Sequence, residues 1–279
     1  MADYLGSTPT SVPIAPITGT TQSQNSNSTL MATTGYVDRL APRGWIDGLN
    51  GTTTASSATF GVSIGQARSD DNTITAALAS AFTKTTAAFV TGTGNGSFDG
   101  TGSSASTTLF VYLIWGANVS PDILTARYDT ATPTLPSGFT KKRRIDAFKT
   151  NGSSQATKAQ TRFGDYVYLT VPVLDVNADT IGATSKNYVL SVPLGINVDA
   201  MFSPYLVNGS GGGLAYLYSP ALAQPAFYNL TCPSAGQSNP YNAVIRTDTS
   251  GQITVNSITA GNVFYASTQG WIDRRGKDA

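Results

Sequence analysis

The chain has 279 residues, enough for one large or two medium domains with a sizeable core. Only 12% of them are charged, about half the usual share, and the net charge of +1 creates no global field that would draw nucleic acid or an anionic membrane. Histidine is absent and Cys232 is the single cysteine, which excludes an intrachain disulfide and a cysteine metal cluster, removes the commonest general base, and points to no cofactor.

Residues 1–29 carry Pro9, Pro13 and Pro16 among Ser, Thr and Gln. With so few large apolar side chains they build no core of their own and read as an extended arm, ordered only against partners. The arm has no basic region or sustained apolar stretch, so it does not read as a signal peptide. Residues 30–44 hold Leu30, Thr33, Val37 and Leu40 at alternating three- and four-residue spacing, one seam of a short helix. Helices below roughly 12–15 residues are marginal in water. This one either packs against copies of itself, making the seam an oligomerisation element, or folds onto its own domain.

From 45 to 150 the signals are strands and turns. Leu109-Phe-Val-Tyr-Leu-Ile-Trp115 predicts a strand buried on both faces and is too short to span a bilayer. Thr75-Ala-Ala-Leu-Ala-Ser-Ala-Phe82 is rich in alanine, yet the β-branched residues around it favour strand over helix. Gly92–Gly102 reads as a glycine-dense loop. Lys141-Lys-Arg-Arg144 is the one basic run, and Lys141 and Lys142 are candidates for contact with an acidic polysaccharide or another subunit; the alternative is a solvated strand edge that discourages unwanted pairing.

Asn151–Lys158 is a polar link and the expected domain boundary, giving a β-rich domain at 45–150 and a C-terminal β-sandwich domain at 151–279. Tyr166–Val171 alternates, and Val192, Leu194, Ile196, Val198, Ala200 and Phe202 keep strict period two, as strands with one wet and one dry face do. Further short strands at turn-punctuated intervals predict an all-β body, an antiparallel sandwich or jelly roll. Tyr216 and Tyr218 are candidates for receptor or interface contact, because tyrosine joins a large apolar ring to a polar tip. Asp165, Asp175, Asp179 and Asp199 read as turn or wet-face residues, so no catalytic carboxylate pair is assigned. Gly44-Trp-Ile-Asp47 recurs as Gly270-Trp-Ile-Asp273, suggesting a repeated element in which both ends of the β-region pack similarly.

Several blocks carry a resemblance. Asn27-Ser-Thr-Leu-Met-Ala-Thr-Thr-Gly-Tyr-Val-Asp38 resembles a segment found ahead of the distal domains of tailed-bacteriophage fibre proteins, with Gly35 where that pattern usually has alanine. In the same order as in phage and prophage tail-fibre or appendage proteins follow Thr132-Pro-Thr-Leu-Pro-Ser-Gly-Phe-Thr140 with Arg143-Arg-Ile145, Val192-Pro-Leu-Gly-Ile-Asn-Val198, Arg246-Thr-Asp-Thr-Ser-Gly-Gln-Ile253 and Gly270-Trp-Ile-Asp-Arg-Arg-Gly-Lys-Asp278. The resemblance implies a structural protein of the virion, made in the bacterial cytoplasm. It implies a homotrimer anchored to other virion proteins through residues 1–29, with a β-body that touches host surface polysaccharide and does no chemistry. Two other classes stay open, a purely architectural collar or head decoration and a polysaccharide-degrading tailspike.

Overall fold

The computed structural model describes residues 44–210, 212–235, 242–259 and 261–277. The arm at 1–29 and the seam residues Leu30, Thr33, Val37 and Leu40 lie outside them. The described residues contain no helix, and none is therefore long and apolar enough to cross a membrane.

The body is all-β. Short strands come first: β1 (Ile46–Gly48), β2 (Gly51–Thr53), β3 (Thr59–Val62), β4 (Gly65–Arg68), β5 (Thr75–Leu78), β6 (Phe82–Ala88) and β7 (Gly96–Phe98). Three nine-residue strands follow, β8 (Thr108–Gly116), β9 (Val119–Arg127) and β10 (Lys141–Lys149). Then come β11 (Gln160–Phe163), β12 (Tyr166–Ile181), β13 (Lys186–Val189), β14 (Asp199–Asn208), β15 (Gly213–Tyr218), β16 (Leu230–Cys232), β17 (Ala243–Arg246), β18 (Gln252–Ser257) and β19 (Asn262–Ile272). The stretch 75–88 forms two strands, β5 and β6, separated at 79–81, and no helix, as its β-branched residues predicted.

One 12-stranded sheet runs in the order β10-β8-β9-β7-β6-β3-β2-β11-β12-β19-β14-β17, flanked by a three-stranded sheet, β1-β4-β5, and a four-stranded one, β13-β18-β15-β16. All pairings are antiparallel except those of β7, which lies parallel to both β6 and β9. β7 sits inside the glycine-dense stretch read as a loop. A Cβ on Gly96 would come within 1.9 Å of the Ala88 carbonyl oxygen, so the missing side chain is what lets this segment approach β6.

Burial follows the pattern of the sequence at β8. Leu109, Val111, Leu113 and Trp115 join the core beneath the three-stranded sheet, while Phe110, Tyr112 and Ile114 join a second cluster with Leu124, Ala126, Phe139 and Ala147 on the other face. A third cluster is shared by the four-stranded sheet (Tyr188, Leu217, Ile253, Val255) and the facing strands β12, β14 and β19 (Val167, Phe202, Leu206, Phe264, Trp271). These clusters divide near the polar link 151–158, yet the large sheet continues past it through the β2–β11 and β11–β12 pairings. Arg43–Ala279 is one compact unit.

The period-two run at 192–202 is strand only from Asp199 onward. Residues 192–198 form a turn-rich connection, in which Gly195 (φ +82°) is tight against Tyr128. Val192 and Val198 are buried there and Ile196 packs against two clusters, so the apolar residues of this run serve as core contacts of an irregular segment.

Candidate functional site

The two Gly-Trp-Ile-Asp copies lie near the two ends of the described residues, and those ends meet. A Cβ on Gly44 would fall 2.8 Å from the Lys277 Cα, and Arg143 donates to the Gly44 carbonyl oxygen at 3.2 Å. The first and last described residues therefore lie side by side. The copies do different work, because Asp47 is exposed whereas Asp273 is buried in a chain of charges. Arg144 grips Asp273 with two hydrogen bonds of 2.7 and 2.8 Å, and Arg162 joins Asp273 (3.0 Å) to Asp146 (2.7 and 2.9 Å). Burial alone would raise the Asp273 pKa, but Arg144 and Arg162 outweigh it and hold the carboxyl well below the usual range. Against their own desolvation, Asp273 raises the pKa of Arg144, and Asp146 together with Asp273 that of Arg162. Arg275 donates to the Gly48 carbonyl oxygen at 3.0 Å, and Lys277 to Asp165 at 2.7 Å. These buried and half-buried cations and anions pin the last described turn onto the first strands as a structural clasp.

The basic run splits along its length. Arg143 and Arg144 turn into that clasp, while Lys142 and Lys141 pair with Asp70 and Asp71 of the β4–β5 loop, the first at 2.6 Å. The loop also covers the edge of β10, since the Asp70 amide donates to the Lys142 carbonyl oxygen. Lys141 borders two depressions that meet at Thr140. One, of about 400 Å³, is lined by Ile74, Thr75, Trp115, Val119 and Pro121; the other, of about 160 Å³, by Asp70, Asp71, Leu135 and Lys142. Neutralised by the aspartates, the two lysines leave this region without net charge.

Of the tyrosines singled out, Tyr216 is 9% exposed, and Tyr218 is half-buried with its hydroxyl 3.0 Å from that of Ser185. Exposed aromatic side chains occur in several places, Phe227 (82%), Tyr228 (46%) and Tyr205 (39%) among them, and three lie together on β11 and β12. Phe163 is 62% exposed, Tyr166 47% and Tyr168 46%. The two tyrosine rings are nearly parallel, with centroids 6.3 Å apart, and Phe163 leans on Tyr168. Sheet register extends this cluster in two rows, Phe163, Tyr166, Ile272, Asp199 and Arg246 in one, Thr161, Tyr168, Gly270, Met201 and Val244 in the other. Gly270 stands opposite Tyr168 and offers no side chain to cover its ring. The face is uncharged except at its rim, where Arg246 meets Asp199 at 3.3 Å. Strict alternation at 166–168 carried the signal for it; the partners Ile272, Met201 and Val244 are brought in only by strand pairing.

The four aspartates considered for chemistry are held apart by separate partners: Asp165 by Lys277, Asp175 by Ser191 and Thr268, Asp179 by Lys186, Asp199 by Arg246. Cys232 is a buried thiol within the third core cluster and donates to the Ser234 carbonyl oxygen at 3.2 Å. Among the described residues no group of acidic or cysteine side chains is arranged to hold a metal ion. No protein-family model matches the sequence, and comparison with curated proteins finds no match either.

Proposed function

We propose that this chain is a structural appendage protein of a tailed-phage particle, anchored through residues 1–29 and presenting its β-body, with a sandwich-like C-terminal half, to the host surface. The observation that supports anchoring is the contact of Gly44 with Lys277. A body tethered at one pole leaves the rest of its surface free to project. The Phe163, Tyr166 and Tyr168 face supplies the contact: aromatic rings stack on the apolar faces of sugars, and an uncharged face suits neutral glycans. Copies of the chain, a trimer on the resemblance, multiply a weak single contact into firm attachment. A glycan-cleaving role gains nothing from the separately held aspartates.

Adsorption of the purified full-length protein to host cells tests the reading. The triple variant F163A/Y166A/Y168A removes exposed side chains and is expected to keep its fold by circular dichroism while losing most of its cell binding, with no oligosaccharide released by either protein. Unchanged adsorption of a folded triple variant removes the face from the proposal. Release of oligosaccharide, abolished by replacing one Asp, replaces the proposal with a tailspike enzyme.

A further inference from the structure

Where the two halves of the body meet, a chamber of about 20 Å³ is lined by Lys149, Thr157, Lys158, Gln160, Ser191 and Trp271 among others. A water needs about 10–15 Å³ on such a measure, so there is room for one water-sized or monatomic occupant. Trp271 is 2% exposed, and its indole N–H has no hydrogen-bond partner among the described residues. An indole nitrogen only donates, so its missing partner is an acceptor. The Lys149 ammonium, with three protons to place, reaches the Leu190 carbonyl oxygen at 3.5 Å, the outer limit of a hydrogen bond. Burial pushes its pKa down, and Asp175 opposes this only in part.

Asp175 is itself committed. It accepts the Ser191 amide and hydroxyl and the Thr268 hydroxyl. The hydroxyl protons of Ser191 and Thr157 are spoken for as well, by Asp175 and the Lys149 carbonyl oxygen. Lys158 adds a second ammonium at the exposed rim. We propose that the chamber is a site for one small monovalent anion of the halide class, held by the Lys149 ammonium and the Trp271 indole N–H. A water would also satisfy the indole, but it brings no charge to the desolvated Lys149 ammonium, whose burial Asp175 alone does not offset. The anion joins the end of β10 to β19 and so ties the N-terminal half of the body to the C-terminal half.

Crystals of the full-length protein soaked in sodium bromide test this. The expected result is an anomalous peak in the chamber, within hydrogen-bonding distance of Lys149 Nζ and Trp271 Nε1. In solution, the thermal midpoint is expected to be higher in sodium chloride than in sodium gluconate of equal ionic strength, with the difference lost in Lys149→Met. Trp271→Phe keeps an aromatic ring in the core and is expected to shrink the same difference, so the test survives if the lysine variant does not fold. A chamber holding water and no bromide, or a chloride effect unchanged in Trp271→Phe, overturns the proposal.

Discussion

Asp273 shows how much one residue carries when its partners are buried. Its carboxylate faces two guanidinium groups in a site where it is itself 3% exposed. Removing one member of a buried pair leaves uncompensated charge and costs about 3–5 kcal/mol. Asp273→Asn is therefore expected to lower stability by that order in urea unfolding. The pH dependence has a definite sign: the folded pKa lies below the ordinary aspartate value of about 3.9, so the unfolded chain takes up the proton first on acidification. Stability from this group is full above about pH 5 and falls as pH drops through and below the unfolded value. Urea midpoints measured from pH 6 down to 3 should drop for the wild type and show a shallower slope for Asp273→Asn. Lys84 is another buried cation, fully enclosed and paired with Asp122 at 2.9 Å, and it satisfies its remaining protons on the carbonyl oxygens of Val90 and Gly92.

At the scale of elements, close backbone approach decides where glycine is required. Gly270 lies in mid-strand on β19, where a Cβ would stand 2.0 Å from the Val167 carbonyl oxygen of β12. Neither strand can move without disturbing the core cluster they share. Gly270→Ala is expected to cost about 1–3 kcal/mol by overpacking, read by thermal or urea unfolding. Gly94, at φ +79° with nothing within 4 Å, is the control; alanine there meets only the left-handed backbone penalty of about 1 kcal/mol. The repeated Gly-Trp-Ile-Asp is legible as a repeat in the sequence, but its two environments are not. Trp271 sits in β19 within a shared core cluster and Asp273 just past the end of that strand is buried, whereas Trp45 is half-buried and Asp47 is exposed on an outer strand of the three-stranded sheet. The alternation at 192–198 misleads for a related reason, since apolar residues at every second position also serve an irregular segment that packs against two core clusters.

For the whole molecule, the low charge and the uncovered Phe163, Tyr166 and Tyr168 face make self-association and surface contact the natural outlets for exposed apolar area. Full-length protein at micromolar concentration is expected to scatter light as a homo-oligomer. Deletion of residues 1–29 should leave the thermal midpoint of the β-body within experimental scatter and abolish incorporation into particles. A clean full-length monomer, or a truncated chain that still incorporates, removes the assembly role of those segments.

By itself the sequence determined the class of the body and much of its burial. Residue preferences for strands, glycine-marked turns and the doubly apolar run at 109–115 act over a few neighbours, and their outcome is written locally. The absence of histidine and the single cysteine likewise bound the chemistry before any fold is known. Only the tertiary structure decided that β2 and β11 carry one sheet across the polar link, that Arg144, Arg162 and Asp273 meet although they lie as much as 129 residues apart, and that Tyr216 turns inward while Phe163 stays out. Each of these depends on which strands pair and in what register. Register is set by the whole sheet, and no segment of the chain encodes it alone.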